Sequence, residues 1–349
     1  MNADLQTVIA AADADRRDLF LTTAARLGTP VQNVEKDFWV CWTLDALFNG
    51  LPAGGPRLLF KGGTSLSKAF GLISRFSEDI DITVFRADLG QPVEADELEG
   101  LSGKKRRAKL EAIRSACQAY IQGPFILQLT ELAARALPQG GFKVAPDEDD
   151  KDGQTVLFWY PTVTATEGDY IRAAVKIEAG AKSALDPHIG ATVTPYVAED
   201  LPDLDLSVGN VTTVKPERTF WDKIMIVHGL RQWYENRGEL RHGGQRVSRH
   251  YYDLYRLAQA KDIANWQADQ QLASDCAIHA RQFFGSPDLG LETAVGGSFT
   301  LKPGDAMHLA LARDYMAMSG MIFGKVPPLD AVLATVAAME QVLNNRQGE

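Results

Sequence analysis

The chain has 349 residues, 45% of them hydrophobic and 23% charged, with a formal net charge of −9 at neutral pH. That length suffices to bury a full core in one large domain or two intimate ones, and the composition is ordinary for a soluble globular protein. The net acidity argues against general adhesion to nucleic acid, so a nucleic-acid partner would have to meet a local basic surface. No apolar run approaches a membrane span, and the opening Met-Asn-Ala-Asp-Leu-Gln lacks the basic start and apolar centre of a signal peptide. A cytoplasmic location without a membrane partner is therefore expected. Three scattered cysteines, Cys41, Cys117 and Cys276, lack metal-ligand spacing and read as small buried residues in a reducing compartment.

In chain order, Asp13 to Leu27 has helical apolar spacing and ends at Gly28-Thr29-Pro30. Val34 to Phe48 reads as a second helix, rich in aromatic residues. The charges at its start, Glu35, Lys36 and Asp37, are expected as caps and solvated contacts. Leu58-Leu59-Phe60 is a short apolar strand, and Lys61-Gly62-Gly63 turns out of it. Thr64 or Ser65 is the expected N-cap of a helix from Leu66 to Ile73. Glycines allow close backbone approach, and a helix N-terminus offers free N–H groups to a phosphate.

Asp79-Ile80-Asp81-Ile82-Thr83-Val84 alternates polar and apolar residues with the period of a strand that has one buried face. Its two carboxylates point the same way, roughly 6–7 Å apart along the strand. A divalent cation between them would relieve their repulsion, and hard oxygen ligands suit Mg²⁺. The plain alternative is an exposed edge strand that carries two acids.

Further on, Lys104 to Lys109 places five cations in six residues at the start of a helix running to about Ile121. The run serves either as a solvated helix face or as a landing strip for an RNA backbone. Gly141 to Val144 and Thr155 to Thr164 read as paired strands. The acid-rich Asp147 to Gly153 between them reads as a solvated hairpin loop, a mobile turn poorly suited to caging a metal. Tyr170 to Glu178 is another strand. A helix from Pro216 to Gln232 has a mostly apolar girdle that includes Lys223, which is costly to bury without an anion. That anion is a triphosphate, Asp222 or some structural carboxylate. His228 reads as a core or helix-end histidine. Arg231 to Arg256 interleaves six arginines with Trp233, Tyr234, Tyr251, Tyr252 and Tyr255, a mixture suited to phosphate contact and base stacking. Asp253 reads either as an orienting acid for Lys223 or an arginine, or as the partner of Arg249 or Arg256 one turn away. The methionine-bearing stripes of the C-terminal helices read as core.

The order strand, Gly-Gly-Thr-Ser, helix, Asp-x-Asp strand resembles the nucleotidyltransferases of the DNA polymerase β type. Lys-Gly-Gly-Thr-Ser-Leu-Ser-Lys followed by Ser-Glu-Asp-Ile-Asp resembles something narrower, the AbiEii/AbiGii family of nucleotidyltransferase toxins of bacterial type IV toxin–antitoxin and phage-defence systems. Glu35-Lys36-Asp37, Arg-Thr-Phe-Trp-Asp-Lys223 and Arg-His-Tyr-Tyr-Asp253-Leu are similar to further motifs of that family, in the family's order. The resemblance implies an α+β fold: a polymerase β-like core, a small mixed sheet with helices, plus a mainly helical C-terminal domain. The expected division is N-terminal helices over 1–50 packed on the core, the core over 51–215, and a helical domain over 216–349 that contributes the active-site lysine and aspartate.

The resemblance also implies a third carboxylate on the strand beside Asp-x-Asp. Glu178 is the best match, with a surface strand acid as its alternative. Asp79, Asp81 and Glu178 would hold Mg²⁺ or Mn²⁺. Gly62, Gly63, Thr64, Ser65 and Lys68 would bind the NTP, and Lys223 and Asp253 would be the required lysine and acid. The implied reaction moves NMP from an NTP to an acceptor hydroxyl, with the tRNA acceptor end as the expected target and a cognate antitoxin as partner. Ser77 adjoins the metal pair, so phosphorylation there would set dianionic charge against Asp79. The rival expectations are a small-molecule or protein acceptor, and a nucleotide-binding protein without catalysis.

Overall fold

The computed structural model describes residues 1–77, 79–164, 173–244 and 246–345. It divides into two compact units. The first comprises residues 1–70, 76–93 and 102–214, and the second 71–75, 94–101 and 215–349. The N-terminal helices thus belong to the same unit as the sheet. Two short segments expected in the core belong instead to the helical unit.

Unit 1 is built on a seven-stranded mixed sheet of the described residues, in the order β3-β4-β5-β2-β1-β7-β6. The strands are β1 (Leu58–Lys61), β2 (Asp79–Val84), β3 (Lys143–Pro146), β4 (Thr155–Trp159), β5 (Ala174–Gly180), β6 (His188–Val193) and β7 (Val208–Val214). β2 runs antiparallel to β1 and parallel to β5. The Asp-x-Asp strand is therefore the central one, which removes the edge-strand alternative. Ile80 and Ile82 are fully buried on one face while Asp79 and Asp81 remain half-buried on the other, as the alternation required. The expected strand from Tyr170 begins at Ala174 as far as it is described; residues 170–172 lie outside the described residues.

The helices of unit 1 are α1 (Ala3–Ala10), α2 (Asp13–Leu27), α3 (Val31–Asp45) and α4 (Gly62–Lys68). After the unit 2 helix α5 (Ala95–Glu99) come α6 (Gly103–Tyr120) and α7 (Ile126–Ala136). Every residue of α3 from Asn33 to Asp45 is buried, and Trp39 and Trp42 pack edge-on to one another and against Phe158. The charges at its start are consequently not solvated. The Glu35 carboxylate accepts hydrogen bonds from Thr162 Oγ1 (2.6 Å), Val163 N (2.7 Å) and Thr164 N (3.2 Å). Asp37 accepts from Tyr196 N at 2.7 Å. A helix enclosed on all sides must pair its acids internally, because no water reaches them.

The 147–153 loop is an ordered turn whose acids serve their own backbone. The Asp150 carboxylate accepts from the amides of Asp152, Gln154 and Thr155 at 2.8–2.9 Å.

Unit 2 contains α5, α8 (Pro216–Arg237), α9 (Ser248–Leu257), α10 (Ile263–Ala268), α11 (Gln270–Phe284), α12 (Asp305–Met318) and α13 (Leu329–Asn345). Pro216 occupies the first turn of α8, where its missing N–H costs nothing, and Gly238 ends the helix at φ +71°. Phe220, Trp221, Ile224 and Val227 are fully buried, as are Tyr251, Tyr252 and Leu254 of α9. The segment 71–75 is tied into this unit. Arg75 bridges Ile322 in antiparallel fashion, and Ser74 O accepts from Phe323 N (3.0 Å) and Tyr252 Oη (3.2 Å). No described helix is long and apolar enough to cross a membrane.

Candidate active site

The first group of candidate side chains stands on the centre of the sheet in unit 1. In the parallel β2–β5 pair Asp79 lies opposite Lys176 and Asp81 opposite Glu178. In the antiparallel β1–β2 pair Lys61 lies opposite Asp81. Paired residues share a face, so Asp79, Asp81 and Glu178 form a carboxylate group flanked by two lysines. Lys61 Nζ is 3.8 Å from Asp81 Oδ1, and Lys176 Nζ is 2.7 Å from Glu178 Oε1 and 3.9 Å from Asp147 Oδ2. Burial works to lower Lys176, but Glu178, Asp79 and Asp147 together raise it above its ordinary value. Neither Lys61 nor Lys176 stands out in the sequence; their signal is a position opposite the acids, which only strand register reveals.

Gly62 opens α4 at φ +80°, a left-handed conformation that favours glycine. A Cβ there would stand 2.1 Å from Asp81 Oδ2, so the glycine allows the backbone to lie directly against that carboxylate. α4 begins at Gly62 and ends at Lys68, earlier at both ends than the expected Leu66–Ile73 helix, and Gly71 follows at φ +63°. Thr64 and Ser65 are therefore inside the helix rather than N-caps, and both are buried. Thr64 Oγ1 lies 2.7 Å from Ser77 Oγ and donates to Asp79 O at 2.5 Å; Ser65 Oγ donates to Gly62 O at 2.9 Å. Their hydroxyls brace the glycine turn and the entry to β2. Gly63 follows Gly62 in the first turn.

Lys68 departs furthest from its expected role. Its buried side chain pairs with Asp37, donates to Thr194 O at 3.0 Å, and sits 3.8 Å from the Tyr196 ring centroid. Burial alone would lower its pKa, but Asp37 holds it above the ordinary lysine value. All of its hydrogen-bonding capacity is directed inward, so it ties α4 to α3 rather than facing a ligand.

Asp79, Asp81 and Glu178 offer the hard oxygen donors that Mg²⁺ or Mn²⁺ prefers, on adjacent positions of one face. As the side chains stand, no three His, Cys, Asp or Glu side chains among the described residues converge into a metal cage, and Glu178 is turned to Lys176. The residues fit a divalent ion in kind and in register, with Lys61 and Lys176 sharing the charge.

The second group lies within unit 2. Asp253, 0% exposed, receives Arg75 in a bidentate arrangement, Nε to Oδ1 at 2.8 Å and Nη2 to Oδ2 at 3.0 Å. Lys223 Nζ donates to the same Oδ2 at 2.7 Å. Burial would raise the Asp253 carboxyl, but Arg75 and Lys223 overcome it and hold it well below the usual carboxylate range. Lys223 is lowered, first by burial and then by Arg75 and Arg249, with Asp253 opposing. The anion that Lys223 required is thus Asp253 rather than Asp222, which pairs with Arg218 at 3.0 Å. Nor do Arg249 and Arg256 pair with Asp253; Arg75 takes that place, and no sequence pattern announces it because the two residues are far apart in the chain.

The remaining nominated residues divide between core and surface. His228 is fully buried, with Gly290 O at 3.0 Å and Thr300 N donating to Nδ1 at 3.1 Å. Tyr251 and Tyr252 are core residues and cannot stack on a base. Arg231 pairs with Glu235, and Arg237 with Asp288. Arg237 and Arg241 place their guanidiniums 5.6 and 5.3 Å from the half-buried Trp233 ring. Lys104, Lys105 and Arg107 are exposed on the first turns of α6.

The family profile described as nucleotidyl transferase AbiEii toxin, type IV TA system, matches residues 45–340. Among solved structures, MenT4, a nucleotidyltransferase toxin from Mycobacterium tuberculosis H37Rv, superposes with a TM-score of 0.52 at 18% sequence identity. That alignment covers 95% of this chain and 90% of MenT4, a likeness of fold. No curated protein sequence matches the chain. With the family profile spanning most of its length, the chain belongs to the AbiEii nucleotidyltransferase toxins of type IV toxin–antitoxin systems.

Proposed function

We propose that this toxin transfers a nucleoside monophosphate from an NTP to an acceptor hydroxyl with release of pyrophosphate, and that the acceptor is the 3′ end of tRNA, which blocks translation in the cytoplasm. The observation that carries the reading is the carboxylate group at the centre of the sheet, with Asp81 and Glu178 in direct register. Asp79, Asp81 and Glu178 would hold Mg²⁺ or Mn²⁺. The bound ion would supply Lewis-acid polarisation of the reacting phosphoryl group and favour deprotonation of the acceptor.

The chain's own groups have separate tasks. Gly62 keeps a side chain out of the space beside Asp81, where phosphates would be received, and Gly63 continues the turn. Thr64 and Ser65 hold that turn in shape. Lys223 carries the positive charge that offsets charge developing on the leaving pyrophosphate. Asp253 fixes the position of Lys223 and counters the lowering of its pKa by burial. Lys68 acts as a positioning residue for α4. A cognate antitoxin would silence the enzyme. Phosphorylation of Ser77 is one route, since its hydroxyl already contacts Thr64 beside β2; intact mass of the antitoxin-treated toxin would reveal it.

Supplying the purified protein with Mg²⁺, each α-labelled NTP and total tRNA tests the reading, with Asp81→Ala as control. Label entering tRNA only with the wild type is the expected result. A second acceptor class, a small molecule or a protein, is favoured by one observation: Arg231 and Arg237 are neutralised by acids, and Tyr251 and Tyr252 are buried. Undiminished transfer after neutralising Lys104, Lys105, Arg107 and Arg241 would select it.

A further inference from the structure

The acid-rich turn between β3 and β4 brings one of its carboxylates to the acids at the centre of the sheet. Asp147 directly follows β3 and is buried. Its Oδ1 accepts from Asp149 N at 3.2 Å, while Oδ2 faces Lys176 Nζ at 3.9 Å. Lys176 in turn donates to Glu178 Oε1 at 2.7 Å, two residues along β5 and on the same face. Across the parallel β2–β5 pair, Lys176 lies opposite Asp79 and Glu178 opposite Asp81. One ammonium group therefore stands between two carboxylates, bonded to Glu178 and about 1 Å beyond hydrogen-bond distance from Asp147. The flexible four-carbon stem of a lysine can cover that gap without backbone movement. The side chain of Asp147 is 9% exposed against 40% for Glu178, so Asp147 is the carboxylate with more to gain from a cation.

We propose that Lys176 is a displaceable counter-cation of the carboxylate group, which passes from Glu178 to Asp147 when a divalent ion arrives. This rests on the reading of Asp79, Asp81 and Glu178 as metal ligands and adds two positioning residues to it. An ammonium and a divalent ion sharing Glu178 repel each other as like charges, so the carboxylate cannot serve both equally well. Without the ion, Lys176 holds Glu178 and relieves the repulsion among the acids. When the ion takes Glu178, Asp147 keeps the displaced ammonium paired. Asp150 in the same turn is occupied by backbone amides, which leaves Asp147 as the acid of that turn directed at the site.

Mn²⁺ titrated into the full-length protein without nucleotide, with the free ion read by electron paramagnetic resonance, tests this apart from transfer. Lys176→Met should bind Mn²⁺ about three- to tenfold more tightly than the wild type, because no ammonium competes for Glu178. Asp147→Asn should bind about two- to fivefold more weakly, because the displaced ammonium has no second carboxylate. The double variant should match Lys176→Met, since Asp147 acts through Lys176. In EDTA, Lys176→Met should melt below the wild type, and saturating Mn²⁺ should narrow that gap. Lys176→Gln replaces Lys176→Met in each comparison should the latter not fold. Mn²⁺ affinity in Lys176→Met equal to or below that of the wild type overturns the proposal and makes the lysine a fixed brace of Glu178. Strictly additive effects in the double variant also overturn it, because Asp147 would then act only as a distant charge. Asp81→Ala separates this proposal from the reading beneath it. If Asp81→Ala loses Mn²⁺ while Lys176→Met gains none, the metal reading stands and the displacement falls. If Asp81→Ala binds Mn²⁺ as the wild type does, or neither the wild type nor Lys176→Met binds it, both fall.

Discussion

Two buried lysines, both nominated for the nucleotide, meet opposite fates in the two units. Lys68 in unit 1 is matched by Asp37, a backbone carbonyl and an aromatic face, so charge is balanced and every donor is used. Lys223 in unit 2 shares its carboxylate with Arg75, which contacts both oxygens of Asp253, so among the described residues Lys223 has no carboxylate to itself. A balanced buried pair holds structure together, because removing either member strands a charge in low dielectric. A lysine that shares its carboxylate with another cation is the better candidate for an anion. Whether a buried lysine has a carboxylate to itself, more than its motif, is what we propose separates the structural role of Lys68 from the ligand-binding one of Lys223.

The comparison breaks most sharply at Lys68. Lys68→Met strands Asp37 and is expected to cost about 3–5 kcal/mol of stability, read as a large fall in chemical-denaturation midpoint. If NTP affinity falls while stability does not, the balanced-pair reading is wrong. Lys223→Met should do the opposite. Transfer falls roughly 10²–10³-fold, as when one preorganised electrostatic group is removed. Stability falls less than in Lys68→Met, because Arg75 still covers both oxygens of Asp253. Equal destabilisation by the two variants would erase the distinction.

Gly62→Ala sharpens the unit 1 side. A left-handed φ and a 2.1 Å approach to Asp81 predict a loss of about 1–3 kcal/mol and a displaced carboxylate. The expected signature is a loss of Mg²⁺- or Mn²⁺-induced thermal stabilisation beyond the loss in stability itself. The smallest effect concerns pH. Lys223 is lowered by burial and by Arg75, so wild-type activity should decline on the alkaline side below the ordinary lysine value, as Lys223 loses its proton. Arg75→Gln removes one lowering cause, so that alkaline limb should move to higher pH. A limb that stays in place would show that Lys223 does not govern it.

Much of the site was legible because it is local. Asp79 and Asp81 share a face by the two-residue period of a strand, and a buried lysine at position 223 demanded an anion wherever it lay. The glycine pair before a short helix was equally readable, although the helix itself was misplaced. Thr64 and Ser65 resemble N-caps by type, yet Gly62 can adopt the left-handed turn and start the helix earlier. Likewise Glu35 and Asp37 look like first-turn surface charges until α3 proves to be enclosed on all sides.

Sequence alone determined the residues proposed to carry the chemistry: the Asp-x-Asp strand, Glu178 at the end of its strand, Lys223 in an apolar girdle, and the family motifs in order. Tertiary structure alone decided the partners. Strand order made β2 central and set Lys176 and Glu178 opposite the two aspartates. The path of residues 71–75 brought Arg75 to Asp253, 178 residues away in the chain. Periodicity reports which way a side chain points, whereas the residue that meets it is chosen by packing between segments distant in sequence. For buried charges that choice is decisive, because a lysine beside a carboxylate of its own is a strut, whereas one beside a carboxylate already held by an arginine is the candidate for binding an anion.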